Sequence, residues 1–299
     1  MLDTTTARHR TAVVAMYLTT FMVILDVNVV ITALPSLQTD LHTTPATVQW
    51  VIGAYTLCLA TLSLSAGALG DRYGRKRMYL GGVALFVAGS AACGFAASAG
   101  LLLTGRFVQG IGAAIALPAT LSLLAQTFHE PRERGRIIAG AAMAGGLAGV
   151  VGPTVGGLLI ALAGWQAIFL VNVPIGAVIL WMAARSLSES ADPEHASLDL
   201  PGQLLGIAWL GALSLGLINS GTSGWSAYTL VPLVIAAVCL IAFIVVELRQ
   251  EAPMLPLRWF GSARFAVPNL AAFMLGFTAF TLVTLFPSYL KSDRSHVVL

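Results

Sequence analysis

The stretch YTLVPLVIAAVCLIAFIVVEL, residues 228–248, carries one charged residue, Glu247, next to its end. A helix of roughly 20 apolar residues spans the hydrocarbon core of a bilayer, which is about 30 Å thick. Barrel strands would instead show segments of about ten residues with alternating polarity. Because backbone groups in lipid must bond to one another, this unbroken apolar run predicts a transmembrane α-helix.

The rest of the chain has the same character. Its 299 residues are 57% hydrophobic and 10% charged, and its mean hydropathy is +0.85. A soluble domain has about a quarter charged residues, so we predict an all-α polytopic membrane protein. Apolar windows predict nine spans, near residues 12–34, 47–70, 78–97, 100–128, 137–161, 165–185, 201–219, 228–248 and 265–287.

The Lys and Arg residues alternate between loops. If the N-terminus is cytoplasmic, the inside segments up to residue 264 hold thirteen Lys and Arg residues, and the outside loops near 35–46, 98–99, 162–164 and 220–227 hold none. An excess of Lys and Arg is typical of cytoplasmic loops. It predicts a multi-pass protein of the cell membrane with a cytoplasmic N-terminus. Lys291 and Arg294 fall on the predicted outside and break the pattern.

The loop between spans two and three reads GALGDRYGRKR, residues 67–77. Glycines in such a loop permit a tight turn and close helix approach. Asp71 can cap a helix or bind a neighbouring helix N-terminus, and the basic cluster can pair with carboxylates or lipid phosphates. The ordered spacing of these residues argues against an ordinary cytoplasmic loop. The predicted loop motif consists of Gly67, Asp71, Arg72, Gly74, Arg75 and Lys76.

Span four begins with RFVQGIGAA, residues 106–114. Gly110 and Gly112 do not form a dinucleotide-binding loop, since the third glycine and the βαβ context are absent. An arginine inside a bilayer is costly and usually faces a cavity or a partner, so Arg106 is a functional candidate. The alternative is a structural arginine that donates to backbone carbonyls.

Span five contains AGGLAGVVGPTVGG, residues 144–157. Glycines at positions i, i+4, i+7 and i+11 predict a smooth helix face against which another helix packs closely. Pro153 removes a backbone donor and bends the helix. Such a face can seal one end of a pathway and act as a hinge, although small-residue stripes are common in membrane helices. The predicted motif consists of Gly145, Gly149, Gly152, Pro153, Gly156 and Gly157.

These motifs, in this order, resemble those of the major facilitator superfamily. Residues 67–77 are similar to its signature loop, residues 106–114 to a motif of its proton-coupled members, and residues 144–157 to its antiporter motif. LDVNVVITALP, residues 25–35, resembles the first helix of the fourteen-helix drug/proton antiporters. Asn28 and Ile31 depart from that pattern, as do Gln166 and Ala167 in WQAIFLVNVPIG, residues 165–176; these departures concern substrate choice.

The resemblance implies an architecture. Family members have two six-helix lobes, and the fourteen-helix branch has two helices inserted between them. Residues 1–185 would form the N-terminal lobe, 186–200 a cytoplasmic linker, 201–250 the inserted pair and 251–299 the start of the C-terminal lobe. We therefore expect a truncated chain in which the C-terminal lobe is largely absent; a natural short tail is the alternative.

The resemblance also implies a function. It suggests a proton-coupled antiporter that exports small, hydrophobic or cationic, drug-like molecules in multidrug efflux. Such a protein is not an enzyme and needs no cofactor beyond the proton gradient. Its partners would be the substrate, protons and lipid, without nucleic acid, and its oligomeric state is left open. A major facilitator importer or uniporter, or a non-transporting membrane fragment, is the alternative.

Asp26 and Arg106 are the charged residues expected deep in the bilayer. They lie about eight and six residues from the outer ends of their helices, or roughly 12 and 9 Å at 1.5 Å per residue. The two side chains can therefore meet across a shared cavity, where Arg106 would tune the proton affinity of Asp26. With Asn28 and Gln109 they form the predicted coupling and substrate site. The alternative is a structural carboxylate hydrogen-bonded near Asn28.

Overall fold

A computed structural model describes the backbone of residues 2–128, 130–191, 199–250, 253 and 255–296, and the side chains of residues 8–128, 130–191, 199–221, 224–250, 253, 255–278 and 281. The described chain is built from helices. They are α1 Leu2–Asp40, α2 Pro45–Tyr73, α3 Arg75–Gly94, α4 Ala99–Thr127, α5 Pro131–Ala163, α6 Gln166–Leu170, α7 Asn172–Ser186, α8 Leu200–Ser223, α9 Ala227–Arg249 and α10 Ala263–His296, with a 3₁₀ helix at Leu257–Gly261.

Eight of the nine predicted spans are confirmed as helices long and apolar enough to cross a membrane, with α6 and α7 together forming the sixth. The ninth, residues 265–287, falls within α10, many of whose side chains lie outside the described part. Helix α10 extends beyond this predicted span, to His296. The predicted linker 186–200 lies partly outside the described residues.

Local capping signals set where several helices begin. The Thr44 hydroxyl accepts a hydrogen bond from Thr47 N at 3.2 Å, and Pro45 follows it as the first residue of α2. At the start of α4 the Ser98 hydroxyl accepts from Leu101 N at 3.3 Å. These side chains satisfy amide groups that the first helical turn leaves unpaired. Short polar loops of this kind fix the ends of the spans.

Helices α3 and α4 pack against each other through glycines. A Cβ atom placed on Gly89 would lie 2.6 Å from the backbone nitrogen of Gln109, and one on Gly105 would lie 2.6 Å from Cys93 Sγ. Neither distance leaves room for a side chain. The two backbones therefore approach closely, and this brings the polar residues of α4 next to those of α3.

Helices α1 and α5 are in close contact through two glycines of the predicted stripe. A Cβ atom on Gly152 would lie 2.5 Å from Asn28 Cβ, and one on Gly156 would lie 3.1 Å from Val29 Cα. Both glycines are buried. Small residues let membrane helices approach in this way without a hydrophobic driving force.

The stripe does not run as the sequence predicted. A Cβ atom on Gly145 would make ordinary contacts at 3.5 Å, whereas one on Gly149 or Gly157 would meet nothing within 4 Å. The contact with α1 runs along a row of α5 residues spaced four apart. This row consists of Ala148, Gly152 and Gly156, which are all buried. Such rows are the ridges along which helices pack, and Gly149 lies to one side of this row. Within the described part of the chain, Gly149 therefore does not belong to the packed face.

Helices α8 and α9 form a pair that packs against α2 through α8. Gln203 of α8 makes a polar link across this contact. Its Nε2 donates to Thr61 O at 2.8 Å, and its Oε1 accepts a hydrogen bond from the Ser65 hydroxyl. The pair is thereby attached to the preceding helices.

The packed glycines of α5 and the glycines that face open space should respond differently to substitution by alanine. We expect Gly152→Ala to destabilise the protein by about 1–3 kcal/mol, because the added methyl group overpacks the α1 contact. Gly149→Ala is the matched control. It should be neutral or stabilising by up to about 1 kcal/mol, since alanine favours a helix over glycine. Thermal unfolding of the purified protein in detergent measures both, and equal losses would contradict the packing described.

Candidate functional site

The structure brings Asp26 of α1 and Arg106 of α4 into direct contact. Arg106 Nη1 lies 2.5 Å from Asp26 Oδ2, and both side chains are completely buried. The two residues, whose depths estimated from the sequence are similar, thus form an ion pair in the structure. The functional roles of the two residues stay predictions.

Two amide side chains complete the surroundings of the carboxylate. Gln109 Nε2 and Asn172 Nδ2 donate to Asp26 Oδ1 at 3.0 and 2.9 Å. Gln109 also accepts from Arg106 Nη1 at 2.9 Å and donates to the Ser90 hydroxyl at 2.6 Å. Both oxygens of Asp26 are thus hydrogen-bonded, and the network joins α1, α3, α4 and α7.

Arg106 makes further contacts on its other side. Its Nε donates to Val51 O of α2 at 2.9 Å, and its guanidinium carbon lies 4.3 Å from the centre of the Tyr55 ring. Arginine is stabilised over an aromatic face, more strongly where water is excluded. Among the described residues, Arg106 Nη2 and Asn172 Oδ1 have no hydrogen-bond partner. The network therefore retains a donor and an acceptor for another group.

The charges explain what this arrangement can do chemically. A buried ion pair gains its Coulomb attraction only after both charges lose water, so its net contribution is small, while removal of one partner is strongly destabilising. Binding of a proton to Asp26 would have the same electrostatic consequence, because it removes the countercharge of Arg106. Protonation is therefore expected to weaken the contact between α1 and α4.

Asn28, predicted as part of this site, is not joined to it. Its Nδ2 donates to Ile24 O of the same helix at 2.7 Å, and its Cβ faces Gly152. Residues 26 and 28 point in different directions, since successive helical residues are about 100° apart. Asn172 and Ser90 do belong to the network, and sequence reasoning missed both. Asn172 could have been recognised from the sequence as a candidate, because it is a polar amide residue within the apolar sixth span.

The loop motif takes its shape from Gly74. This residue ends α2 and precedes α3 with φ +105°, a conformation that favours glycine. Across the turn, Asp71 and Arg75 form an ion pair at 2.5 Å. Asp71 thus binds an arginine of its own motif one helical turn away, and the N-cap residue of α3 is Gly74. A Cβ atom on Gly67 would meet nothing within 4 Å, so close helix approach there is not observed.

An acid from outside the motif occupies the start of α3. Glu189 accepts hydrogen bonds from Lys76 N at 3.0 Å and Arg77 N at 3.2 Å. The Lys76 ammonium group donates to Leu187 O at 2.8 Å. Anions are favoured at helix N-termini, where amide groups are unpaired. The segment after α7 is therefore fastened to the loop, whereas the Arg72 side chain remains exposed.

Comparison with known proteins agrees with these features. The family model of the Major Facilitator Superfamily matches residues 16–297. The chain belongs to this superfamily. Since its members are transport proteins, the expectation of a non-enzymatic protein is confirmed.

Relatives of this superfamily member are named for drug resistance and export. The chain is 37% identical over 279 residues to the methylenomycin A resistance protein of Bacillus subtilis, covering 93% of this chain and 60% of that protein. It is 37% identical to the multidrug resistance protein Stp of Mycobacterium tuberculosis, with coverages of 92% and 52%. For the cephamycin export protein CmcT of Amycolatopsis lactamdurans the values are 38%, 91% and 57%. The chain thus spans about half to three fifths of these relatives.

Solved transporters share the fold. A crystal structure of peptide transporter POT in complex with sulfate matches with a TM-score of 0.60 and 16% identity, covering 80% of this chain and 53% of that one. A bacterial homologue of the human lysosomal transporter Spinster matches with a TM-score of 0.52 and 20% identity, with coverages of 79% and 60%. At these identities the likeness concerns the fold, and it confirms the all-α membrane architecture.

A double-mutant cycle tests the buried pair. We expect Arg106→Ala to cost about 3–5 kcal/mol of folding free energy, because it leaves Asp26 charged and unpaired. Adding Asp26→Asn should recover part of that loss, since the amide carries no charge. Thermal unfolding in detergent measures the four proteins of the cycle.

Asp71 and Arg75 provide the matched control. Their ion pair has the same 2.5 Å separation, but the side chains are 36% and 12% exposed. The corresponding cycle, Arg75→Ala with Asp71→Asn, should give a coupling of less than about 1 kcal/mol. Equal couplings at the two pairs would contradict the importance of burial.

Proposed function

We propose that this chain provides the first lobe of a proton-coupled exporter of small, drug-like molecules. Residues 1–185 would form that lobe, residues 186–200 the linker, residues 201–250 two inserted helices, and residues 251–299 the beginning of the second lobe, as in the fourteen-helix branch. The names of the relatives, which refer to antibiotic resistance and multidrug resistance, support export over uptake.

The Asp26–Arg106 ion pair is the observation that carries the proposal of proton coupling. Asp26 is fully buried and bound to three side chains, and Arg106 has an unused donor. A proton that binds Asp26 neutralises it and releases Arg106 to change partners. The contact between α1 and α4 would then rearrange. A cationic substrate and a proton would compete for the same carboxylate, which is the requirement for antiport.

The α1–α5 contact supplies a second element of the proposed cycle. Gly152 and Gly156 hold α5 against the segment of α1 that follows Asp26. Movement of α1 on protonation would therefore be transmitted to α5, and Pro153 provides a point where that helix lacks one hydrogen bond. In this proposal the glycine motif links the protonation state to opening and closing of the pathway.

We also propose that the N-terminus is cytoplasmic. Arg8 Nε donates to Ser186 O at 3.0 Å, and Arg75 N donates to Ser190 O at 2.8 Å. These contacts link the start of α1, the α2–α3 loop and the end of α7 at one end of the lobe. The basic residues of three predicted inside segments therefore share that end, as the positive-inside rule requires.

Efflux in proteoliposomes with an imposed pH gradient tests the proposed function. In the whole protein, we expect Asp26→Asn to abolish gradient-driven transport of a fluorescent cationic dye, because the amide cannot carry the proton. Asp40→Asn is the matched control, since Asp40 is an exposed acid on the same helix. It should leave transport unchanged. Dye binding, measured separately, distinguishes lost coupling from lost affinity.

Two outcomes would contradict the proposal. Normal gradient-driven efflux by the Asp26→Asn protein would remove this carboxylate from the coupling mechanism. Dye transport that is independent of the pH gradient in the unmodified protein would rule out proton antiport altogether.

A further inference from the structure

The guanidinium group of Arg106 keeps its charge even when its partner Asp26 loses its own. Arginine is effectively always protonated in proteins, whereas an aspartate can bind a proton. Both side chains are completely buried, and a buried charge without a partner is strongly destabilising. The cation therefore needs other stabilising groups whenever Asp26 is neutral.

The hydrogen-bond acceptors that would remain to Arg106 carry no charge. Its Nε donates to Val51 O and its Nη1 to Gln109 Oε1, both at 2.9 Å. None of the ion pairs between described side chains gives Arg106 a second carboxylate. These acceptors satisfy individual N–H groups, but they do not replace the Coulomb attraction of the lost countercharge.

Two aromatic rings lie against the guanidinium group. Its carbon atom is 4.3 Å from the centre of the Tyr55 ring of α2 and 5.8 Å from the centre of the Phe169 ring of α6. A cation is attracted to an aromatic face within about 6 Å, most strongly where water is excluded. Arg106, Tyr55 and Phe169 are all 0% exposed. This attraction does not depend on whether Asp26 is charged.

The Tyr55 ring is fixed in this position by contacts with two helices. Its hydroxyl donates to Val23 O of α1 at 3.4 Å. A Cβ atom on Gly110 would lie 2.7 Å from Tyr55 O and 3.0 Å from Tyr55 Cα, so the backbones of α2 and α4 approach closely there. Residues four apart share a helix face, and Gly110 follows Arg106 by four residues. The glycine thus lets Tyr55 come next to the arginine.

The Phe169 ring is placed by the short helix α6. It packs edge-on against Trp165, with the ring centres 6.2 Å apart and the planes at 84°. Asn172, three residues further along the chain, donates to Asp26 Oδ1 at 2.9 Å. The sixth span therefore contacts both members of the ion pair, the carboxylate through Asn172 and the cation through Phe169.

We propose that Tyr55 and Phe169 are positioning residues whose rings hold the Arg106 guanidinium in the protein interior when Asp26 is neutral. Neutralisation would then weaken the attachment of α1 to the cation, while α4 stays attached to α2 and α6. Arg106 would remain in place to form the ion pair again. The occurrence of the neutral state during transport rests on the proposed function, whereas the holding of the cation by the rings does not.

The effect of Tyr55→Leu on the melting temperature, compared in three backgrounds of the purified 299-residue protein, tests this proposal. The backgrounds are the unmodified protein, Asp26→Asn, and Asp26→Asn combined with Arg106→Ala. The decrease should be largest in Asp26→Asn, where the cation has lost its carboxylate, and smallest in the third background, which has no cation. We expect these two decreases to differ by about 2–6 °C.

Phe86→Leu is the matched control. Phe86 is also 0% exposed and packs edge-on against Tyr55, with the ring centres 6.4 Å apart. None of the cation–ring contacts between described side chains involves Phe86, so its decrease should be the same in all three backgrounds. Tyr55→Phe keeps the ring and should likewise show no dependence on the background. Phe169→Leu should follow the order of Tyr55→Leu with a smaller difference, because its ring lies farther from the guanidinium carbon.

Equal decreases in all three backgrounds, for Tyr55→Leu or for Phe169→Leu, would overturn the proposal. An equally large dependence on the background for Phe86→Leu would overturn it too. If Tyr55→Leu does not fold together with Asp26→Asn, the other two backgrounds decide, because the decrease must still be larger where the cation is present. Failure of proton coupling in the efflux assay would leave this comparison unchanged, so the two proposals fail separately.

Discussion

The contact between Asp26 and Arg106 is the constraint on which the rest of the lobe depends. Neither charge can lie alone in the interior of a membrane protein, so α1 and α4 must be placed where the two groups meet. The pair itself bonds to Val51 of α2 and Asn172 of α7. Gln109, which is bonded to both members of the pair, donates to Ser90 of α3. Five helices are thus joined by one hydrogen-bonded network.

The same contact makes a change of state possible. A network of neutral groups would stabilise the helices without responding to pH, whereas a carboxylate can lose its charge when it binds a proton. Gln109 and Asn172 are amides, and they remain able to bond after Asp26 is neutralised. The unpaired Nη2 of Arg106 offers a second position for the guanidinium group. In the proposed mechanism, the stability of the lobe and its response to a proton therefore come from the same side chains.

Much of this architecture could be predicted from the sequence because lipid imposes simple rules. The lengths of the apolar segments located the spans, and the similar depths of Asp26 and Arg106 in their helices predicted that the two side chains can meet. Contacts between distant segments were not predictable. Glu189 comes from a polar stretch that nothing links to the α2–α3 loop, and Asn172 enters the site only through the fold of α7. Which glycines of α5 contact α1 was not predictable either, because glycine spacing alone does not show how two helices cross.

The most direct test of the account is the reactivity of Cys93, whose Sγ lies 3.5 Å from Gln109 Oε1 in the buried network. With Cys58 and Cys239 replaced by serine, a membrane-permeant maleimide should label Cys93 very slowly in the folded protein. Arg106→Ala should raise that rate by roughly a hundredfold, as expected for a loss of about 3 kcal/mol. Equally fast labelling with and without Arg106 would contradict a network closed by this ion pair.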